Sequence, residues 1–137
     1  MKELDVTKIN KGVLDTLTLW AQGHLRRRMH CDMRNSENDS SQRMLNALEP
    51  GTVLPVHRHR FSSETCIILR GKAVEIFYDY AGYETERILM DADGECRGCD
   101  IPMGTWHRIE SLESGTVIFE AKDGPYAPLT EEDILNI

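Results

Sequence analysis

Four residues of this chain have the types and spacing to hold a transition metal: His57, His59, Glu64 and His107. Three fall in one stretch, GTVLPVHRHRFSSETCIILRG, residues 51–71. On an extended strand alternate side chains share a face, with Cα atoms about 6.6–7 Å apart. His57 and His59 can therefore converge on one ion while Arg58 between them turns away. Glu64 lies an odd number of residues beyond His59, so an unbroken strand would aim it at the other face. Phe61-Ser62-Ser63 can turn the chain and reset that parity, returning the carboxylate to the same interior from the next strand. His107 follows the turn Pro102-Met103-Gly104, where proline fixes φ and glycine allows a positive one. In a closed or rolled sheet the four side chains would offer three neutral nitrogens and one carboxylate. A lone histidine is usually a satisfied core or surface residue. Four residues at these spacings would lack uncharged partners in a barrel interior, which favours a metal.

That donor set suits zinc, iron, manganese, nickel or cobalt, so the expected cofactor is one divalent transition metal ion. With a dication the four ligands carry a net charge of about +1, able to polarise a substrate oxygen where coordination positions stay open. Five further residues are candidates for substrate binding. Cys66 and Arg70 share the parity of Glu64, Glu120 interrupts the apolar run Val117-Ile118-Phe119, and Gln42 and Asn46 share a strand face. Alternation leaves Glu120 open between pocket and solvent. Trp106, of opposite parity to His107, reads as outer packing. No general base stands out beside the ligands, so no residue is assigned as catalytic.

These side chains need a β framework to bring them together, and the chain supplies its signals. Short β-leaning segments cover 42–48, 52–60, 64–70, 73–79, 84–90, 96–101, 105–111 and 115–121, most of them separated by turn residues such as Pro50-Gly51, Gly71 and Ser114-Gly115. About eight short strands at roughly ten-residue spacing predict an antiparallel sandwich or barrel. Ahead of them, Val13, Leu17, Trp20 and Ala21 recur at helical spacing within 10–25, with Asn10 as N-cap. Arg26-Arg27-Arg28 follow, where a helix C-terminus favours cations. Residues 31–41 are rich in Asn, Asp and Ser and read as a loop. Thr130 is a fair N-cap for one last helical turn. The expected organisation is one domain overall: a helix and loop, residues 1–40, packed on a barrel, residues 41–137.

Composition excludes several classes. The chain has 137 residues, a formal charge of −7 and 40% hydrophobic residues, which suits one globular domain with a real core. An acidic balance speaks against nucleic acid and against anionic membranes. No apolar run nears the ~18–20 residues needed to span a bilayer. MKELDVTKIN lacks the apolar core of a signal peptide, so a cytoplasmic location is expected. Free thiols are then the default for the four cysteines. Cys96-Arg97-Gly98-Cys99 has C-x-x-C spacing but no second pair for a structural zinc site, and reads as partly buried strand thiols unless a neighbouring chain adds ligands.

The motifs resemble the cupins. Their first motif, G-x5-H-x-H-x4-E-x6-G, is met at Gly51, His57, His59, Glu64 and Gly71. Their second, G-x5-P-x-G-x2-H-x3-N, is met at Pro102, Gly104 and His107, with Cys96 in place of the first Gly and Ser111 in place of the Asn. Neither of those positions ligates metal in the family, so the site stays intact. QRMLNALEPGT at 42–52, the HRH, the PMGTWH run and SLESGTVIFEAKDGPY at 111–126 are similar to the WbuC-type cupin-fold metalloproteins, often encoded beside bacterial surface-polysaccharide genes. The resemblance implies an all-β double-stranded β-helix, or jelly roll, with an N-terminal α-helix, the metal on His57, His59, Glu64 and His107, and a homodimer. Three functions compete: a metal-dependent enzyme, isomerase- or epimerase-like, acting on a small polar molecule such as a sugar or nucleotide-sugar; an iron-dependent dioxygenase; and a non-enzymatic small-molecule binding or sensing module.

Overall fold

The computed structural model describes residues 4–137. The chain opens with α1 (Lys11–Gln22), where the Asn10 side chain accepts a hydrogen bond from the Val13 N–H at 3.1 Å. This satisfies one of the free N–H groups of the first turn. The helix stops three residues earlier than its periodicity predicts, at Gly23. The basic run still serves it, because Arg27 swings back and donates to the Gln22 carbonyl at 2.8 Å.

Ten strands follow: β1 (Arg28–Asp32), β2 (Ser41–Leu48), β3 (Val56–His57), β4 (Glu64–Arg70), β5 (Lys72–Tyr78), β6 (Glu84–Asp91), β7 (Gly98–Ile101), β8 (Trp106–Ser111), β9 (Thr116–Asp123) and β10 (Ile134–Leu135). They form two five-stranded sheets, ordered β1-β2-β9-β4-β7 and β10-β3-β8-β5-β6. Every recorded pairing is antiparallel. The fold is mostly β, two sheets and one N-terminal helix in the manner of a jelly roll.

Three elements differ from expectation: β1, β3 and β10, the last a two-residue strand that pairs with β3 beyond the eight expected segments. β1 occupies residues that carry no strand signal and partly fall in the expected loop; it forms because each of its residues pairs with β2, from Arg28↔Leu48 to Asp32↔Met44. The expected strand 52–60 shrinks to Val56–His57. Pro55 brings no N–H to a ladder, and the chain must turn after His59 to reach the other sheet. The last helical turn forms where Thr130 predicts it, as a 3₁₀ turn, Glu131–Asp133.

The first sheet is apolar on both faces. Its outer face, Leu45, Ala47 and Val117, packs under Val13, Leu17 and Ala21 of α1. Its inner face packs Leu48, Cys66, Ile68 and Ile118 against Ala73 and Met90 of the second sheet. That inner core fills one end of the space between the sheets. Polar side chains occupy the other.

Candidate metal centre

Backbone pairing places the histidines. His57 on β3 stands directly opposite His107 on β8, so their side chains leave the same face of the second sheet. His59 follows two residues on, and its carbonyl accepts from the Gly104 N–H at 2.9 Å. The two motifs are thus tied together through their turns. Arg58 turns outward, its guanidinium 4.6 Å from the Trp106 ring centroid, which also places Trp106 on the outer face as its parity predicts. The three imidazole centroids lie 4.4, 5.0 and 5.7 Å apart. One nitrogen from each of His57, His59 and His107 lies within 4.8 Å of the others.

Glu64 reaches the cluster from the first sheet, since the turn at residues 60–63 resets its parity. Its Oε1 is 3.5 Å from His59 Nε2 and 3.8 Å from His107 Nε2. Ligands about 2.1 Å from a common ion stand ~3.0–3.4 Å apart in tetrahedral or octahedral geometry; the three imidazoles form the cluster by themselves, and Glu64 approaches two of them, His59 and His107. The imidazole protons are arranged for an ion. His57 Nδ1 lies 3.0 Å from the Pro55 carbonyl and His107 Nδ1 2.9 Å from that of Thr105. A carbonyl only accepts, so each Nδ1 carries the proton and each Nε2 keeps its lone pair, as metal-binding histidines require. Burial also keeps the rings neutral: it lowers His57, takes His59 down to about 4 and His107 down to about 3. The donor chemistry fits a divalent transition metal.

Behind the histidines the interior is acidic. Burial and the neighbouring Glu120 carboxylate push Glu64 well above its ordinary value. Burial raises Glu120 too, but the hydrogen bond from Glu64, the Lys122 ammonium and the Asn46 amide outweigh it and hold Glu120 below its usual range. Glu64 therefore holds the proton that the pair shares. Asn46 donates to Glu120 at 3.3 Å. Glu120, which alternation alone left undecided, points inward, toward Asn46 and Glu64. Gln42 donates to the Gly124 carbonyl at 2.9 Å and borders a cavity of about 330 Å³ at the rim of the barrel. Cys66 is fully buried, its thiol pushed well up by burial and then by Glu120, Glu75 and Glu64.

Arg70 is placed elsewhere. A β-bulge between Ile68 and Arg70 shifts the register so that Arg70 pairs with Val117, and the parity argument that put it beside Glu64 fails. Its guanidinium binds Asp15 and Thr18 of α1 at 2.6 and 2.8 Å, and the Gly115 carbonyl at 3.0 Å. It anchors the helix and does not enter the pocket.

Two interior residues escape the motif reading. Glu75 is 2% exposed, its Oε1 has no hydrogen-bond partner, and burial, then the Glu120 charge, push it up to about 8. Lys122 lies opposite Glu64 in the β4–β9 pairing, with Nζ 3.9 Å from Glu64 Oε1. A charge interrupting an apolar run marks Glu75, between Val74 and Ile76, whereas Lys122, within Glu120-Ala121-Lys122-Asp123, carries no such mark. All four thiols are free, as expected, but Cys96 lies outside β7 and is not the partly buried strand thiol expected. Cys96 is exposed, and Cys99, on β7 opposite Cys66, is pushed up to about 12 by burial and then by Glu75.

The model of one family, described as a domain of unknown function (DUF6016), matches residues 9–90, more than half of the chain. The chain belongs to the DUF6016 family. The matched region holds His57, His59 and Glu64 and ends before His107. Solved structures relate this DUF6016 chain to the cupin fold. The capsular polysaccharide assembling protein CapF of Staphylococcus aureus superposes with a TM-score of 0.62 at 24% identity, over 72% of this chain and 27% of that one. KdgF from Halomonas sp. gives 0.58 at 12% identity, over 72% and 82%. The Cnp3 cupin domain of Schizosaccharomyces pombe gives 0.56 at 16%, over 73% and 66%. The chain thus spans about a quarter of the CapF chain. No curated protein matches it in sequence. Among the described residues no helix is long and apolar enough to cross a membrane.

Proposed function

We propose that His57, His59, His107 and Glu64 hold one divalent transition metal, and that the pocket in front of it binds or transforms a small polar molecule, a sugar or nucleotide-sugar, in surface-polysaccharide biosynthesis. One observation carries the metal: three imidazoles converge on a common point, two of them with Nδ1 tied to a carbonyl and Nε2 free. Resemblance to the WbuC-type proteins and the fold shared with CapF support the polysaccharide context. A bound dication would supply Lewis-acid polarisation of a ligand oxygen. The chain's own residues would do the rest. Thr105 and Pro55 hold the imidazoles in the metal-binding tautomer, Asn46 steadies Glu120, and Glu120 can accept or return a proton at its carboxylate oxygen.

The test is metal analysis of protein purified without added metal. The expected result is close to one equivalent of a single transition metal per chain, lost in His57→Ala and His107→Ala variants that still fold. Full metal content in both variants would overturn the site. Iron accompanied by oxygen consumption would turn the reading toward a dioxygenase; zinc or manganese with thermal shifts on adding nucleotide-sugars would support the reading above.

A further inference from the structure

The two histidines of the first motif have little sheet to hold them. β3 is two residues long and meets β8 at one position, His57↔His107. His59 lies beyond the strand. Among the described residues no carbonyl holds its ring as those of Pro55 and Thr105 hold the other two. The C-terminal segment supplies the missing support. Ile134 and Leu135 of β10 pair with His57 and Val56, and the Arg58 N–H donates to the Asp133 carbonyl at 3.0 Å.

Parity turns this segment into a clamp. Side chains alternate along extended backbone, so His57 and His59 face the interior while Arg58 and Arg60 face out. One carboxylate meets both outward cations: Asp133 Oδ1 lies 3.5 Å from Arg58 Nε and 2.7 Å from Arg60 Nε. Asp133 is 7% exposed. Its Oδ2 accepts from the Thr130 N–H at 3.3 Å and from the Thr130 hydroxyl at 3.2 Å, which fixes the carboxylate on its own 3₁₀ turn. Both Nε atoms and Oδ1 are buried without an aligned hydrogen bond, so the attraction is mainly charge on charge. Loss of that charge would leave Arg58 with no carboxylate among the described residues and Arg60 with the exposed Glu132 alone. A buried cation stripped of its partner moves toward water. Metal ligands must stay within about 0.5 Å of their productive positions, and the backbone that carries these two arginines carries both histidines.

Resting on the metal reading above, we propose that Asp133 is a positioning residue of the metal centre, acting through Arg58 and Arg60 to hold His57 and His59, and that docking of the segment 130–135 and metal binding reinforce each other.

The experiment titrates Co²⁺ into the full chain against a competing chelator, under conditions where each protein is folded, and follows the cobalt absorption band. Asp133→Asn should weaken cobalt about tenfold, the size of effect seen when groups that orient metal ligands are removed, and should alter the band. Asp133→Glu should recover part of the loss. Asp15→Asn breaks an ion pair of 2.6 Å with Arg70, far from the histidines, and should leave cobalt affinity unchanged. A merely structural Asp133 would lower stability without moving the affinity of the folded protein. Should Asp133→Asn fail to fold, Arg60→Gln removes the same contact and should weaken cobalt by roughly threefold or more. Coupling between two sites is reciprocal, so cobalt should slow hydrogen exchange in peptides covering 130–137 more than in those covering 11–22. Unchanged affinity in Asp133→Asn (or in Arg60→Gln where it replaces it), or equal slowing in the two regions, would overturn the proposal while leaving the metal site standing. Failure of the wild-type chain to take up cobalt would overturn both.

Discussion

Glu75 shows what a single buried side chain does to this molecule. Its carboxyl sits in a nearly closed interior with one oxygen unpartnered, and burial followed by the Glu120 charge pushes it up to about 8 from 4.5. The folded state therefore binds a proton that the unfolded chain releases between pH 4.5 and 8. Linkage fixes the sign: the contribution is present in full below 4.5 and is lost as pH rises to about 8. At ~1.4 kcal/mol per unit the loss is on the order of a few kcal/mol. Glu75→Gln keeps the shape without the titration. The stability of wild type minus that of Glu75→Gln should fall by that amount between pH 5 and 8, measured by urea unfolding of metal-free protein. The histidines titrate alike in both proteins and cancel in the difference. A difference that stays flat with pH would mean that Glu75 is solvated and ionised in the fold.

At the scale of elements, the two motif glycines do different work. Both Gly51 and Gly71 have φ near +90°, a region costly to L side chains. A Cβ on Gly51 meets nothing within 4 Å, whereas one on Gly71 would lie 2.7 Å from the Thr116 Cα. Gly51→Ala should cost about 1 kcal/mol. Gly71→Ala should cost about 3 kcal/mol or more, since the β4–β5 turn must move off β9. Equal costs by urea unfolding would refute the close approach. The helix offers a second test. Leu17 and Ala21 are fully buried under the first sheet, and Leu17→Ala should cost roughly 2–5 kcal/mol. A loss under ~1 kcal/mol would mean that α1 is not docked there. These elements also show what the sequence could tell. Strand periodicity and turn residues placed β4 to the residue, and the spacing of His57, His59 and His107 located the cluster. β1 stayed hidden because an edge strand held by its neighbour needs no strong pattern of its own. Arg70 was misplaced because a bulge changes parity without leaving any trace in residue type. Lys122 was passed over because nothing in its immediate neighbours says that the pleat carries it inward.

For the whole molecule, the position of the donors matters as much as their identity. His57 and His107 belong to the second sheet and Glu64 to the first, so an ion held by all of them clips the two sheets together. It does so at the polar end, away from the inner core packed around Leu48, Ile68 and Met90. Binding only to the folded state stabilises it by ~2.7 kcal/mol at a free metal concentration about 100-fold above Kd. For a chain of this size that corresponds to roughly 8 °C in Tm. A strong chelator should therefore lower the wild-type Tm by about that much, and a His57→Ala/His59→Ala double variant should melt low from the start with no further response. The comparison with the variant is what makes the outcome specific, because a chelator acting elsewhere would lower both proteins equally. Equal shifts in the two, or no shift in either, would sink the view that one ion joins the two sheets through these histidines.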